Sequence, residues 1–145
     1  MNILYSKNKN NIPKNYALFL DDDINRVPQK LSWIELPFIP YVIVRNYDEF
    51  VECITNHNLP HTISWDHDLS FSGYSEYHRA DQSDKTINYN NIPERTGYHA
   101  AMWLAEYCIG RNLNIPHYTV HSMNYMGKQN IISVLESAKK IILDK

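Results

Sequence analysis

Glycine, cysteine and long apolar runs are all scarce in this chain. Only 4 of the 145 residues are glycine, so few positions need a left-handed backbone turn. The 2 cysteines, Cys53 and Cys108, are too few for a disulfide framework and are expected to be small buried side chains. No apolar run reaches the roughly 18 residues of a membrane-spanning helix, and the polar segment 1–14 lacks the apolar core of a secretory signal. We therefore expect a cytoplasmic protein with no membrane partner.

An excess of positive charge is also missing. Lys and Arg number 14 against 16 Asp and Glu, which gives a net charge of −2. This balance excludes a broad basic surface for nonspecific nucleic-acid binding, so we expect no extended DNA binding, while a local basic pocket stays open. The length predicts a single domain over residues 1–145, with its core at about 16–140.

Short apolar runs alternate with amphipathic segments along the chain. The apolar runs predict strands at 16–20, 41–44, 61–65 and 117–120, and leave a further short strand open at Met1–Tyr5. Helical spacing predicts helices at 46–56, from Thr96 to about Gly110, and at 128–143. This alternation predicts right-handed crossovers and a mostly parallel α/β sheet, whose ligands bind at the carboxyl ends of its strands.

Two segments lack this periodicity. Residues 24–40 contain three prolines and are expected to be irregular, with one helical turn near Leu31–Glu35. Residues 69–95 are polar, and a loop of that length inside a compact domain is usually functional or disordered. We expect an insertion or lid loop there, whose Tyr74, Tyr77 and Tyr89 would stack on a base or sugar if the loop closed.

Acidic side chains follow two of the predicted strands. Asp21 and Asp22 come after the first, and Asp66 and Asp68 come after the third. Either pair alone is typical of a solvated turn, but four carboxylates at one sheet edge need a compensating charge. Oxygen ligands suit a hard divalent cation, so the pattern predicts a Mg²⁺ or Mn²⁺ site formed by Asp21, Asp22, Asp66 and Asp68.

Histidines stand beside these acids. His67 lies between Asp66 and Asp68, and His121 ends the fourth predicted strand. Imidazole gains and loses a proton near neutral pH, so His67, His121 and Asp66 are our candidate catalytic residues. A histidine beside aspartates can also bind a transition metal, and that reading stays open.

The exit of the last predicted strand favours anion binding. It runs into a helix N-terminus, where free backbone N–H groups attract phosphate. The candidate phosphate-binding residues are Ser122, Asn124, Gly127 and Lys128, together with Arg45 at the end of the second predicted strand. The spacing is not that of a Walker A loop, and the alternative is a helix cap with a solvated lysine. Arg26 is a further cation that could pair with the acids or with a phosphate.

The motifs in Leu18–Asp22, Ile63–Leu69, Thr96–Tyr98 and Val120–Asn130 together resemble the cyclic-phosphate-processing receiver-like domain family. The resemblance covers about residues 16–140. It implies a three-layer α/β/α, flavodoxin-like fold of about four to five strands, divergent from response-regulator receivers.

The resemblance also implies roles for particular residues. Asp21 and Asp22 match the metal-binding acidic pair of receivers, and Asp66 matches the aspartate that accepts a phosphoryl group there. His67 and His121 are additions that ordinary receivers lack, and the family links them to hydrolysis of cyclic phosphates on RNA ends or nucleotides. The sequence departs from an ordinary receiver because no fifth strand ending in lysine follows the fourth, so the fold is expected to be truncated at its C-terminal end. This departure argues against a phosphorelay switch.

The leading functional hypothesis is a metal-dependent phosphoesterase, a hydrolase acting on a cyclic phosphate or on a phosphorylated nucleotide or RNA end. Asp66 would serve as a metal ligand or as a covalent nucleophile, of which the ligand role is favoured. One alternative is a non-enzymatic nucleotide-binding or degenerate receiver signalling module. Another is a toprim-like nuclease, for which Asp66 and Asp68 have suitable spacing but the first strand lacks the required glutamate.

Overall fold

The structure is a computed structural model that describes residues 3–5, 12–28 and 39–144. Its strands are β1 (Ile3–Tyr5), β2 (Ala17–Leu20), β3 (Tyr41–Val44), β4 (Thr62–Trp65) and β5 (His117–Val120). Its α-helices are α1 (Tyr47–Asn56), α2 (Phe71–Asp81), α3 (Gly97–Arg111) and α4 (Tyr125–Leu143), and a 3₁₀ turn covers Tyr89–Asn91. The helical turn expected near Leu31–Glu35 lies outside the described residues.

The five strands form one parallel sheet in the order β1-β3-β2-β4-β5. The receiver-like α/β class predicted from the sequence is confirmed, and the strand left open at the N-terminus is the β1 edge of this sheet. Within the described ranges no strand follows β5, since the chain passes directly into α4. β5 is therefore an edge strand.

Alternate side chains of the strands build two separate apolar clusters. On one face, the even-numbered residues of β2 and β3 pack with Ile63 and Trp65 of β4 and with α1, α3 and α4. On the other face, Ala17 and Phe19 of β2 pack with Tyr41 and Ile43 of β3, against Val27 and Ile39. Strands buried on both faces explain the continuous apolar runs of the sequence.

Polar side chains begin and end the helices. Asn46 caps α1 by accepting a hydrogen bond from the Glu49 N–H. Thr96 caps α3, and the His99 side chain accepts from the Thr96 N–H to complete a capping box. α3 ends at Arg111, one residue after the predicted end at about Gly110, because Asn112 takes the left-handed conformation, with φ of 54°, that closes the helix. α4 starts at Tyr125, three residues before its predicted start, because Asn124 is its N-cap.

The prediction of a loop over the whole of residues 69–95 is wrong, since α2 occupies much of this segment. Ser70 caps α2. The buried residues of the helix are Gly73, Glu76 and Ala80, so no apolar stripe marks it in the sequence. Glu76 takes part in a polar network instead of an apolar contact. Its carboxylate accepts two hydrogen bonds from Arg79, at 2.7 Å each, and others from Asn88 and Asn91.

Two further expectations concern burial and membranes. Cys53 and Cys108 are both buried free thiols, as predicted. Among the helices of the described ranges, none has the length and apolar character needed to cross a bilayer.

Candidate active site at the carboxyl edge of the sheet

Three neighbouring strands each end in a polar residue at the same level. In the strand register Leu20 lies beside Trp65, and Trp65 lies beside Val120. The next residues in the chain are Asp21, Asp66 and His121. Backbone hydrogen bonds continue the ladder to this level, from the Asp66 N–H to the Leu20 carbonyl at 3.0 Å and from the His121 N–H to the Trp65 carbonyl at 2.9 Å. The sheet therefore sets the three side chains side by side, and one carboxylate or imidazole atom from each lies within 4.8 Å of the others.

The imidazole of His121 is fixed from three sides. Its ring stacks on Phe19 with centroids 4.8 Å apart and an interplanar angle of 3°. Nδ1 lies 2.7 Å from the Ser64 hydroxyl, and Nε2 lies 3.0 Å from Asp21 Oδ2. The ring is only 1% exposed. With Nε2 donating its proton to the Asp21 carboxylate, Nδ1 is left to accept a hydrogen bond from the Ser64 hydroxyl. This pair of hydrogen bonds defines the tautomer of the imidazole.

Carboxylates outnumber cations at this edge. Asp66 is buried, and its pKa is raised well above the ordinary value, first by burial and then by the charges of Asp21, Asp68 and Asp22. The pKa of Asp22 is also raised, by burial and by Asp21. Arg26 is the cation paired with this group, and its Nη1 lies 3.4 Å from Asp21 Oδ2. Asp66 accepts a hydrogen bond from the His67 N–H, and among the described residues it has no ion-pair partner.

His67 lies inside the protein beneath this edge. It is fully buried, with Nδ1 2.7 Å from Asp68 Oδ1 and Nε2 2.9 Å from the Tyr89 hydroxyl. Because Asp68 accepts from Nδ1–H, Nε2 is the acceptor for Tyr89. The Asn124 amide donates a second hydrogen bond to Asp68 Oδ1, at 3.0 Å. His67 thus holds Asp68 in place, and it is not among the described residues that line the cleft above this edge.

Three of the four glycines contact the segment 66–68. A Cβ on Gly97 would lie 1.9 Å from the Asp66 carbonyl oxygen, and a Cβ on Gly127 would lie 2.3 Å from His67 Cγ. A Cβ on Gly73 would lie 3.2 Å from Asp68 Oδ1. The first turns of α2, α3 and α4 therefore approach this segment at distances that exclude a side chain, most closely at Gly97 and Gly127.

Only some of the predicted phosphate-binding residues line the cleft. Ser122 and Asn124 line a cleft above the carboxylates, and Asn124 Oδ1 also accepts the Gly127 N–H in the helix cap. The glycine itself packs on His67. Lys128 is half-buried and does not line the cleft.

Arg45 contacts the chain itself. Its Nη1 donates to the carbonyls of Asp21, Asp23 and Arg26, at 3.0, 2.6 and 3.1 Å. Its place in the structure is therefore that of a clamp on the loop after β2.

The cleft has a volume of about 540 Å³, within the range of roughly 300–1,000 Å³ for small-molecule sites. Asp22, Asp66 and Asp68 form part of its wall, whereas Asp21, His67 and His121 lie behind it. The remaining lining residues are Asp23, Arg26, Ser70, Phe71, Tyr74, Tyr77, Ser122, Met123 and Asn124. Sequence reasoning did not single out Phe71 or Met123, because an isolated apolar residue carries no signal that separates a cleft from a core.

Comparisons with known proteins add a family to this geometry. No curated protein and no solved structure significantly matches the chain. The family described as cyclic-phosphate processing receiver domain matches residues 16–137, a range that includes β2 to β5 and every residue of the edge described above. The chain belongs to this cyclic-phosphate processing receiver domain family.

Proposed function

We propose that the protein is a metal-dependent phosphoesterase that hydrolyses a cyclic phosphate or the phosphate of a nucleotide or RNA end. The observation that carries this proposal is the meeting of Asp21, Asp66 and His121 at a cleft of suitable size for a nucleotide, with Asp66 in its wall and the other two behind it. The family match supports it, because receiver-type domains of this family are associated with cyclic-phosphate processing. The same match favours a receiver-type reading over a toprim-like nuclease.

A divalent cation, Mg²⁺ or Mn²⁺, fits the donor set at this edge. Asp21 and Asp66 offer buried carboxylate oxygens, and Asp22 and Asp68 offer more exposed ones at the wall of the cleft. The raised pKa of Asp66, with no ion pair among the described residues, is the electrostatic sign of a site that lacks positive charge. A cation bound here would neutralise the carboxylates and polarise a phosphoryl oxygen. We assign Asp66 to ligation, as the sequence analysis favoured.

The cleft wall supplies groups that would hold the phosphate. Arg26 lines the cleft beside Asp22, and its guanidinium is the cation nearest the carboxylates. Ser122 adds a hydroxyl whose oxygen accepts the Asn124 N–H at 3.1 Å and whose proton is free to face a ligand. We therefore assign the anion-binding role to Ser122, as predicted, and to Arg26 in place of Arg45 and Lys128.

His121 is our candidate for the proton-handling group; because it lies behind the cleft wall, it would act on the site through the Asp21 and Asp66 carboxylates beside it. It holds a proton at Nε2 against Asp21, and the Ser64 hydroxyl and Phe19 ring keep the imidazole in that orientation. Hydrolysis of a cyclic phosphodiester breaks one ester P–O bond, forms one P–O bond to water and returns a proton to the leaving oxygen. General acid–base help of this kind is worth roughly 10²–10⁴-fold in rate. His67 is assigned a positioning role, because its ring nitrogens contact Asp68 and Tyr89 and not the group of Asp21, Asp66 and His121.

The experiment is a hydrolysis screen with purified protein. Nucleoside 2′,3′-cyclic phosphates, 3′,5′-cyclic nucleotides and linear nucleotides are incubated with Mg²⁺, Mn²⁺ or EDTA, and products are identified by mass spectrometry. Asp66→Asn and His121→Asn are the test variants. Glu106→Gln is the matched control, because Glu106 is an exposed carboxylate on α3 outside the cleft.

We expect metal-dependent hydrolysis by the wild type and Glu106→Gln, none by Asp66→Asn, and a fall of roughly 10²–10⁴-fold in His121→Asn. Asp66→Asn should unfold in EDTA no more readily than the wild type at pH 7, because it removes a buried charge, so loss of activity is not loss of fold. Full hydrolysis by both site variants would refute the mechanism. Metal-dependent ligand capture without turnover would support the non-enzymatic binding module.

A further inference from the structure

The wall of the cleft divides into a charged half and an uncharged half. Among the lining residues that the structure describes, the charged ones are Arg26 and four aspartates, and all of them belong to the loops after β2 and β4. The other half is built from the first two turns of α2 and the loop after β5. It contributes Phe71, Tyr74, Tyr77 and Met123, with no charged side chain among them.

Several of these apolar side chains are open to solvent. Phe71 is 81% exposed, Met123 73% and Tyr74 55%. They are therefore not part of a core, since the apolar cluster next to α2 is formed by Ala80, Ile87, Ile92 and Met126. Exposed aromatic and thioether groups that border a cleft are typical of a ligand surface, whereas single apolar residues scattered elsewhere are common and need no such role.

The aromatic rings are held in place by their neighbours on α2. Tyr74 packs against Phe71, three residues before it, at a centroid distance of 6.4 Å, and edge-on against His78 at 4.4 Å. Tyr77 packs edge-on against Tyr125 of α4 at 6.0 Å. Aromatic side chains have only two rotatable bonds, so rings that already pack on one another lose little conformational entropy when a planar ligand stacks on them.

We propose that Phe71, Tyr74 and Met123 form a nucleobase subsite, so that the ligand of the cleft is a nucleotide with an unpaired base. The proposal rests on the proposed function, because it places the phosphate at the carboxylate half. A phosphorylated nucleoside matches the two halves: its phosphate is charged and its base is a flat, uncharged ring. The absence of charged groups at the aromatic half predicts that every base is accepted, because stacking needs only a π-face. A base within a duplex is already stacked on both faces and does not fit this role.

The test compares ligands that differ only in the base. Adenosine 5′-monophosphate, uridine 5′-monophosphate and ribose 5-phosphate are titrated by calorimetry in Mg²⁺. The variants are Phe71→Ala and Tyr74→Ala. Leu143→Ala is the matched control, because Leu143 is 80% exposed and lies at the far end of α4 from the site. Since Phe71 and Tyr74 are exposed, their truncation leaves the core intact.

We expect both nucleotides to bind roughly 5- to 150-fold more tightly than ribose 5-phosphate, the range that base–aromatic stacking supports. Phe71→Ala and Tyr74→Ala should lose most of this preference without changing ribose 5-phosphate affinity, while Leu143→Ala keeps it. Phe71→Trp should restore the preference and show fluorescence quenching with the nucleotides and not with ribose 5-phosphate.

Two results separate the subsite from the proposed function. Base-dependent binding without hydrolysis of any substrate supports the subsite and contradicts the phosphoesterase. Hydrolysis of nucleotide and base-free cyclic phosphates with equal KM overturns the subsite and leaves the phosphoesterase intact. Equal affinity for the three titrated ligands, or equal weakening of all three in the variants, also overturns the subsite.

Discussion

Alanine in place of Gly127 should destabilise the protein, although alanine ordinarily favours a helix over glycine. Gly127 lies in the first turn of α4, and no described glycine has a positive φ, so its backbone suits any residue. A Cβ there would lie 2.3 Å from His67 Cγ, about 1 Å closer than ordinary van der Waals contact. His67 has no room to retreat because it is fully buried and hydrogen-bonded to Asp68 and Tyr89.

The cost follows from these contacts. Overpacking a buried site costs about 1–3 kcal/mol, and each hydrogen bond that the displaced ring gives up costs about 1 kcal/mol. The helical preference for alanine returns at most about 1 kcal/mol. We expect Gly127→Ala to lower the free energy of unfolding by about 2–4 kcal/mol.

Gly110 provides the matched control, since it is also a helical glycine. It is exposed near the end of α3, and a Cβ there would meet no atom within 4 Å. Gly110→Ala should therefore raise the free energy of unfolding by about 0.5–1 kcal/mol. Urea unfolding followed by circular dichroism measures both variants, and an unchanged slope against urea would show that the change lies in stability.

A double-mutant cycle tests whether the His67 ring is the cause. His67→Ala removes all three of the atoms nearest to the added Cβ, so Gly127→Ala should cost at least about 1 kcal/mol less in that background. If Gly127→Ala costs the same with and without the ring, or if it stabilises the protein as Gly110→Ala does, the reasoning from this contact is refuted.

Substitutions at three other positions test contacts away from Gly127 and His67. The hydrogen bonds from Arg79 lower the pKa of Glu76 to about 2 from 4.5. The stabilising contribution of Glu76 is therefore present above pH 4.5 and lost as the pH falls towards 2. Over this window the free energy of unfolding should fall less steeply with decreasing pH in Glu76→Gln than in the wild type. Identical acid titrations of the two proteins would contradict the network. Arg45→Met should cost about 1–3 kcal/mol in urea unfolding because of its bonds to loop carbonyls; unchanged stability with weaker phosphate binding would instead restore its predicted anion role. Asn112→Ala should lower the free energy of unfolding by about 1–2 kcal/mol, while Asn112→Gly should leave it unchanged, because the backbone of Asn112 is left-handed. Thermal unfolding measures both variants, and equal losses of stability would contradict the role of Asn112 as the helix cap.

The sequence predicted the sheet well because its strands are buried on both faces. Such strands appear in the sequence as continuous apolar runs, and the polar residue that directly follows each run marks the carboxyl end of the strand. Parallel register then places Asp21, Asp66 and His121 at one level without further information. Asp21, Asp66 and His121 could therefore be predicted as neighbours from the sequence, although the role of each residue stays a prediction.

Sequence reasoning failed where side chains make polar contacts over long separations. α2 has no apolar stripe because its buried face carries Glu76, whose amide partners come from a turn 12 to 15 residues later. The position of His67 behind the cleft wall was also hidden, because its neighbours in the chain are acids that do face the cleft. Only the contact with Gly127, 60 positions away, reveals the difference.

The close approach of the helices at Gly97 and Gly127 and the burial of the Asp66 carboxylate occur in the same segment of the chain. Burial and the neighbouring carboxylates raise the pKa of Asp66 on folding, so its contribution to stability falls as the pH rises above the ordinary value of its pKa. Asp66 lines the cleft but is only 5% exposed. The chain places two of its 4 glycines where helices close on the same segment, since α3 approaches the Asp66 backbone at Gly97 and α4 approaches the His67 ring at Gly127. Groups with perturbed pKa values that line a cleft are concentrated at functional sites, so the burial of Asp66 among other carboxylates is a physical reason to test the proposed function there first.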